Sequence, residues 1–544
     1  MKRIVVLPLV FLLLHIFAQA QTFTLTTDIN PNGNANPQNI TSFKSKMYFS
    51  ADDGIHGAEL WVSDGTASGT QMVKDILPGS SGSSPSGFTE YNGNLYFSAS
   101  FGPGFELWVT DGTSGGTQLL KKISNGSYGS NPKEFTLYNG KLYFSANDNT
   151  HGDNLWVTDG TSAGTQMVKD INNGNGSFPS GFIVYNAKLY FCATDADHGY
   201  ELWESDGTTA GTVLVSDIAP GPNGSTPSGF FIFNNKLYFS FLDGTGPTKL
   251  GYYDVSGTGV HLAPMHDAAT NVDGFSVSNQ IVFNNKLYFQ ASDYTHGNEF
   301  WMMDPVIGVS QLLKEIMVGP NGSNPANFTL FNGKLYFSAD GGNGNELWET
   351  DGTAGGTQLV KDINPGTGGS NPQNFILYND LLYFIADDGN NGPQLWQTDG
   401  TSGNGKMLQP VIAPISGPLA NTDKFVPYNG SLYFGAEYNS NGNELWEFRT
   451  HTSGVHNVLP IENNLSIFPN PVTGNAITVF SDRLKSGSWQ ISLLNMNGKV
   501  LLTQQCSDLG SLSINLPGSI SNGIYILQMT SAENDVYQKL LIQR

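Results

Sequence analysis

The feature that most constrains this chain is a repeat. A Met/Leu-Tyr-Phe triplet begins at residues 47, 95, 142, 189, 237, 287, 335, 382 and 432, with spacings of 47 to 50 residues. Glu-Leu-Trp or a variant follows nearly every triplet. Its third place holds eight of the nine tryptophans: Trp61, Trp108, Trp156, Trp203, Trp301, Trp348, Trp396 and Trp446. The fifth copy has Gly251 there, and Trp489 lies beyond the array. A period near 48 places the chain among solenoids, propellers and arrays, where each unit buries its apolar surface only against its neighbours.

Within a unit, hydrophobic residues alternate with period two and turn residues punctuate them. In the seventh copy Phe328–Phe331, Lys334–Ala339, Glu346–Thr350 and Gln358–Ile363 read as four strands, a to d, and no helical periodicity competes. Asn332-Gly333 between a and b is a type I′ hairpin signal, needing positive φ at both central residues. The connection from d to the next a is the longest, so it is the crossing between units. Four antiparallel strands per unit predict an all-β chain built on a β-propeller of nine blades, with eight as the alternative count. Thr26-Thr27-Asp28-Ile29 resembles the ending of a d strand, and the ninth unit loses its turn after Trp446. The N-terminal strand is therefore predicted to complete the last blade and leave no open edge.

Composition narrows the function. Of 544 residues, 25 are Lys or Arg and 46 Asp or Glu, a net charge of −21, so a phosphate-binding surface for nucleic acid is excluded. Met1-Lys2-Arg3, the apolar run Ile4–Phe17 and Ala18-Gln19-Ala20 have the form of a secretory signal peptide cleaved between Ala20 and Gln21. No later run reaches membrane-spanning length, so no transmembrane segment is expected. The two cysteines, Cys192 and Cys506, are too far apart in sequence to suggest a disulfide, and Cys192 reads as a small core residue.

Two recurrent motifs have structural and chemical readings. Asp-Gly-Thr between c and d, at Asp64, Asp111, Asp159, Asp206, Asp351 and Asp399, reads as a turn in which the side chains bond backbone N–H groups. His56, His151, His198 and His296 stand five residues before a repeat tryptophan, but Asn343, Asn391 and Asn441 take the same place. His and Asn both tolerate left-handed backbone, so this position reads as a turn former and not as a metal ligand. The acidic b–c loops (Asp52-Asp53, Asp195 with Asp197, Asp387-Asp388) suit a hard cation such as calcium, with solvated charge the simpler reading. No cofactor is required. Symmetry breaks in the fifth copy, where His266, Asp267 and Asp273 follow strand d and Asp243 lies in the preceding b–c loop. These four are the ligand or metal candidates, and no catalytic residue is assigned.

Glu59-Leu-Trp-Val-Ser-Asp-Gly-Thr66 and its counterparts resemble the ELWxxDGT repeat family of exported bacterial proteins over roughly residues 22–450. The resemblance implies a repeat and no activity. Copies five, six and nine lose the Asp-Gly-Thr step, which leaves their c–d hairpins open to question.

After His456 the pattern changes. Seven short apolar runs, beginning at Leu465 and ending at Ile542, predict a small β-sandwich. Phe468-Pro469-Asn470-Pro471, the Leu494–Gly498 segment, Asn522-Gly523-Ile-Tyr525 and the closing Lys539–Arg544 resemble the type A sorting domain of type IX secretion. That resemblance implies handling by the type IX machinery and delivery, through the periplasm, to the outer surface or the medium. The expected organisation is a leader (1–20), a propeller (21–455), a linker (456–463) and a sorting domain (464–544). Subtracting the leader's two basic residues and five charges of each sign in 461–544 leaves the array with 18 basic and 41 acidic residues. All the net acidity belongs to the propeller.

These features predict a secreted or surface-attached, non-enzymatic binding scaffold whose partner is an extracellular glycan, protein or cation. The alternative is a polysaccharide-acting glycosidase or lyase on the same scaffold. Glycosidase chemistry would need two carboxylates facing one cleft.

Overall fold

The computed structural model describes residues 20–451 apart from 103, 127, 257–258, 264, 268–271, 274, 294, 307, 402, 409–418 and 420–423. Beyond these it describes 465–468, 476–481, 488–495, 500–507, 511–517, 520, 523–530 and 535–542. The chain divides into two compact units, Met1–Ser453 and Gly454–Arg544.

The first unit is a nine-bladed β-propeller of four-stranded antiparallel blades. Blade one runs Gln38–Phe43, Lys46–Asp52, Ala58–Ser63 and Gln71–Lys74 as strands a to d, and the next seven repeat that order. Blade nine is composite. Val426–Tyr428, Ser431–Ala436 and Glu444–His451 supply a, b and c, and the N-terminal strand Ala20–Thr27 pairs with c as strand d. The a–b hairpins carry positive φ at both central residues, as at Asn332 (48°) and Gly333 (73°). Blades five and six lack Asp-Gly-Thr and still form c–d pairs, Tyr253 with Val260 and Asp304 with Val309.

The core lies between blades. Each triplet residue is buried, and each tryptophan that the structure places in a cluster packs on the preceding blade. Trp108 of blade two sits with Tyr48, Leu60 and Val62 of blade one. Trp301 of blade six sits with Phe233, Tyr238 and Leu250 of blade five. Trp61 of blade one sits with Val426, Tyr433 and Leu445 of blade nine, so the same packing crosses the seam of the ring. Polar ties follow the same direction. The Tyr91, Tyr138 and Tyr185 hydroxyls each donate to an a–b hairpin carbonyl in the next blade, and Tyr428 donates to Ser45 O at 2.6 Å across the seam. Lys74, Lys169 and Lys314 of d strands each donate to the threonine carbonyl that ends the next blade's c–d turn, at 2.7 to 2.8 Å.

Contacts between a strands of neighbouring blades, for example Gln38–Phe43 against Ser86–Tyr91 and Ala326–Phe331 against Gln373–Tyr378, place strand a innermost, around the central channel.

The second unit forms two antiparallel sheets, one of three strands and one of four. All seven expected strands are present, from Leu465–Phe468 to Asp535–Ile542. Ile477, Val479 and Ile514 of the first sheet share one buried cluster with Ile491, Leu493, Leu527 and Leu540 of the second, the layering of a β-sandwich.

Candidate functional site

The glutamate of Glu-Leu-Trp is a buried clasp, a role the repeat pattern did not disclose. The Glu59 carboxylate accepts from the backbone N–H groups of Ile76 and Leu77 at 3.0 Å and from Ser83 Oγ at 2.5 Å. It thereby fixes the d–a crossing beneath the start of strand c. Glu106, Glu201, Glu299 and Glu346 do the same with Ser130, Ser225, Ser323 and Ser370. In blade three Asn154 Oδ1 accepts from Ile171 N–H (3.4 Å) and Ser177 Oγ (2.8 Å). Glu444 accepts from the N–H groups of Ile29, Asn30 and Ala35, clasping the N-terminal segment into blade nine. Burial pushes Glu59, Glu106, Glu201 and Glu299 above the usual carboxylate range against the pull of their donors. Burial moves Glu444 furthest of these, up to about 7.

The Asp-Gly-Thr motif closes its own turn. Asp64 Oδ1 accepts from Thr66 N–H (2.9 Å) and Thr66 Oγ1 (2.6 Å), and Thr66 Oγ1 accepts from Gly69 N–H (3.0 Å). Gly65 adopts φ +90°, and a Cβ there would lie 2.4 Å from the hydroxyl of Tyr433 in the adjoining blade. The bond to the Thr66 hydroxyl is the first cause holding Asp64 below its ordinary range.

The histidines are turn residues held by aspartates, but not through the left-handed backbone expected of them: positive φ falls on the glycine that follows, as at Gly57 (69°) and Gly392 (67°). Asp53 accepts from the N–H groups of Ile55 (2.9 Å) and His56 (2.8 Å), and its second oxygen lies 2.7 Å from His56 Nδ1. His151 with Asp148, His198 with Asp195 and His296 with Asp293 repeat this geometry. In blade eight Asn391 Nδ2 donates to Asp388 at 2.7 Å, replacing the imidazole N–H. Of the loop carboxylates offered as calcium ligands, Asp52, Asp53, Asp195, Asp387 and Asp388 are engaged by their own loops. Among the described residues no three His, Cys, Asp or Glu side chains converge to hold a metal ion.

The fifth-copy candidates fall around the b–c loop and crossing of blade five. Asp243 pairs with Lys249, which stands in the clasp position, and accepts from Thr245 N–H and Oγ1 at 3.0 and 2.6 Å. The Lys249 bond comes first among the causes that lower Asp243 to about 2. His266 and Asp267 form a two-residue ladder with Val272 and Asp273, His266 opposite Asp273. The crossing approaches the b–c loop, with Ser276 N–H donating to Thr248 O at 2.6 Å. Asp243 therefore has a local cation of its own.

Gly251 is compensated. Phe241 stands where other copies have the alanine of strand b, is buried, and packs with Tyr185, Tyr190 and Leu202 of blade four. A Cβ on residue 251 would meet Phe241 Cε1 at 2.4 Å. The phenylalanine ring fills the slot that tryptophan fills elsewhere.

Symmetry breaks instead along the channel. The second residue of each a strand in blades one to five, seven and eight, and Asn279 in blade six, is a left-handed bulge. Glycine or asparagine occupies it everywhere except blade three, where Glu134 holds φ 59°, a strained conformation costing on the order of 1–3 kcal/mol. Glu134 Oε2 accepts from Gly181 N–H at 2.5 Å. The next-to-last residue of strand a is an exposed aliphatic side chain in blades three to eight: Leu137, Val184, Ile232, Val282, Leu330 and Leu377. Blades one, two and nine have Ser42, Glu90 and Pro427 in that place. Beside this polar arc lies a cavity of about 290 Å³ reaching Asn39, Thr41, Thr89, Glu134 and Lys424, with Phe88 and Phe135 in its wall.

In the second unit Tyr525 is buried in the core, and Phe468, Gly523 and Lys539 lie in strands. Pro469, Asn470, Pro471 and Gly498 lie outside the described residues, as do residues 1–19, where a leader is expected. Ala20 and Gln21 open the closing strand of the ring.

Residues 466–543 match the secretion system C-terminal sorting domain. The tail is that of a protein handled by type IX secretion, which indicates release or attachment at the cell surface. A search of curated proteins returns no match. Among solved structures, a prolyl endopeptidase is 11% identical with a TM-score of 0.37, the likeness covering 74% of this chain and 55% of that one. Prolyl oligopeptidase B from Galerina marginata is 11% identical with a TM-score of 0.37, covering 67% and 56%. The β-propeller domain of the trilobed protease from Pyrococcus furiosus is 11% identical with a TM-score of 0.31, covering 61% and 99%. The chain thus spans little more than half the length of the two peptidases. No helix among the described residues is long and apolar enough to cross a membrane.

Proposed function

We propose that this chain is an extracellular binding protein: a rigid ring of the ELWxxDGT type carried through the periplasm to the outer surface by its sorting tail, presenting its channel to a glycan or protein ligand. The observation that carries this reading is where the chain departs from its own repeat. The recurrent carboxylates, Glu59 and Asp64 and their counterparts, accept hydrogen bonds within their own blades and so maintain architecture. Blade five's departures pair among themselves, whereas on the innermost strands Ser42, Glu90 and Pro427 interrupt an aliphatic wall and Glu134 replaces the glycine or asparagine of the bulge.

Two comparisons test this. The full chain and a chain lacking 461–544 are expressed in a host with type IX secretion and fractionated. The full chain is expected at the surface or in the medium and the truncated chain folded in the periplasm. Normal surface display of the truncation would defeat the delivery part. The purified full chain is then incubated with extracellular polysaccharides and with surface proteins, scoring both retention and cleavage. Retention without cleavage is expected, and release of reducing ends would favour the glycosidase alternative.

A further inference from the structure

The geometry points to a specific site for a short neutral oligosaccharide in the channel, on the inner wall of blades nine to three around Glu134. This inference rests on the binding reading above and names its ligand. The cavity of about 290 Å³ lies at the small end of ligand pockets. Its polar groups are the hydroxyls of Thr41 and Thr89, the amide of Asn39, one carboxylate and one ammonium, Lys424. The charges of the last two cancel, so in a chain of net charge −21 this wall favours neither a polyanion nor a polycation. Phe88 and Phe135 are half-buried rings between those polar groups. Flat apolar surface alternating with hydroxyl, amide and carboxylate partners matches a pyranose, whose C–H faces are apolar and whose rim is hydroxyl.

An extended peptide would instead ask for a continuous strand edge. The bulge at the second residue of each a strand, Asn39, Gly87 and Glu134 in these blades, interrupts that edge. Glu134 marks the site because among these bulges it alone carries a carboxylate, and its bond to Gly181 N–H is solvent-exposed, so water can take its place. Asn39, Gly87 and Gly181 carry the same left-handed bulge in neighbouring blades without a carboxylate. A strained residue in a cavity, where unstrained ones serve elsewhere, is the pattern of a side chain retained for contact with a ligand.

The test is calorimetric titration of the full chain with cellotetraose, laminaritetraose, xylotetraose, maltotetraose and chitotetraose at millimolar concentration. At least one is expected to bind. Glu134→Gly and Glu134→Asn should weaken it by roughly tenfold or more, while the melting temperature changes little, because both residues accept the left-handed bulge and the exposed Gly181 N–H regains a water partner in place of the lost carboxylate. Thr89→Val should weaken binding in the same direction. Leu330→Ala, on the aliphatic arc, should leave it unchanged. Binding of a tetrasaccharide that is indifferent to Glu134 and Thr89 overturns the site while leaving the binding reading intact. Binding of extended peptides, and of no sugar, that is sensitive to Glu134 overturns the ligand class. No binding of any of the five sugars overturns the inference, and the retention assay above then judges the broader reading on its own.

Discussion

Blades five and six stand side by side with the same strand order, yet they are held together by different residues. Blade six has Glu299 clasping its crossing through Ile316, Met317 and Ser323, and Trp301 buried against blade five. Blade five has Lys249 and Gly251 in those places. Its lysine turns to Asp243 in the b–c loop, its crossing contains the ladder from His266 to Asp273, and Phe241 fills the slot against blade four. The difference separates two requirements that the repeat otherwise fuses. The slot between blades must be filled, by tryptophan from strand c or phenylalanine from strand b. The clasp is replaceable where the crossing makes its own backbone pairs.

The largest expected effect tests the slot. Trp301→Ala removes a fully buried ring and should cost about 3–5 kcal/mol, read as a fall in the chemical denaturation midpoint. A loss below about 1 kcal/mol would mean the blades do not depend on that packing. Next comes the clasp. Glu299→Ala strips the acceptor from three backbone N–H groups and a hydroxyl, and leaving such buried donors unsatisfied costs about 1–3 kcal/mol. The corresponding change in blade five, Lys249→Ala, breaks only a partly exposed pair and should move stability by about 0.5 kcal/mol or less. Equal losses in the two variants would erase the contrast between the blades.

A double-mutant cycle sharpens the same comparison. Gly251→Trp alone collides with Phe241, and Phe241→Ala alone leaves a hole. The pair together restores the arrangement of the other blades. The double variant should be more stable than the sum of the singles predicts by about 0.5–3 kcal/mol. Additivity would show that Phe241 does not substitute for the missing tryptophan.

The smallest expected effect is a slope with pH. Glu444 is raised in the folded ring by burial, with Asp28 adding to the shift. A raised group contributes stability that is fully present below its unfolded value, about 4.3, and is lost as pH rises through about 7. Glu444→Gln should flatten part of the decline in melting temperature between pH 5 and 8. His56, His151 and His198, raised by the hydrogen bond to their aspartates, decline over the upper part of the same window and remain in the variant as an internal reference.

Much of the architecture is legible in the sequence because a strand's side-chain period and a turn's dihedral demands are local. The four strands per unit, the Asn-Gly hairpins, the closing N-terminal strand and the seven strands of the tail all rest on such local signals. The turn reading of Asp-Gly-Thr rests on them too. The histidines do sit in turns, but not for the expected reason: the following glycine takes the left-handed backbone, and His56 and Asn391 are interchangeable because both bond the loop aspartate. The clasp was not legible in that way. Glu59 bonds backbone N–H groups 17 and 18 residues downstream, and a main-chain donor leaves no mark in the sequence. The recurrent serine of the crossing, Ser83 and its counterparts, was the available signal. Phe241 with Gly251 was another, since one position gains the ring that the other loses. The channel site was hidden because a glutamate in an otherwise ordinary strand reads as solvated charge. Only the left-handed backbone at Glu134 sets it apart.

The composite ninth blade has a consequence for how the chain finds its fold. The Glu59 clasp closes over 17 residues, whereas the bond from Ile29 to Glu444 spans 415. For a disordered chain the second closure costs about 3 kcal/mol more in entropy. An arc of blades already formed from short-range contacts brings the two ends together and removes that difference. Residues 20–35 precede every blade in the chain and find their partners last, so the ring closes on its earliest strand.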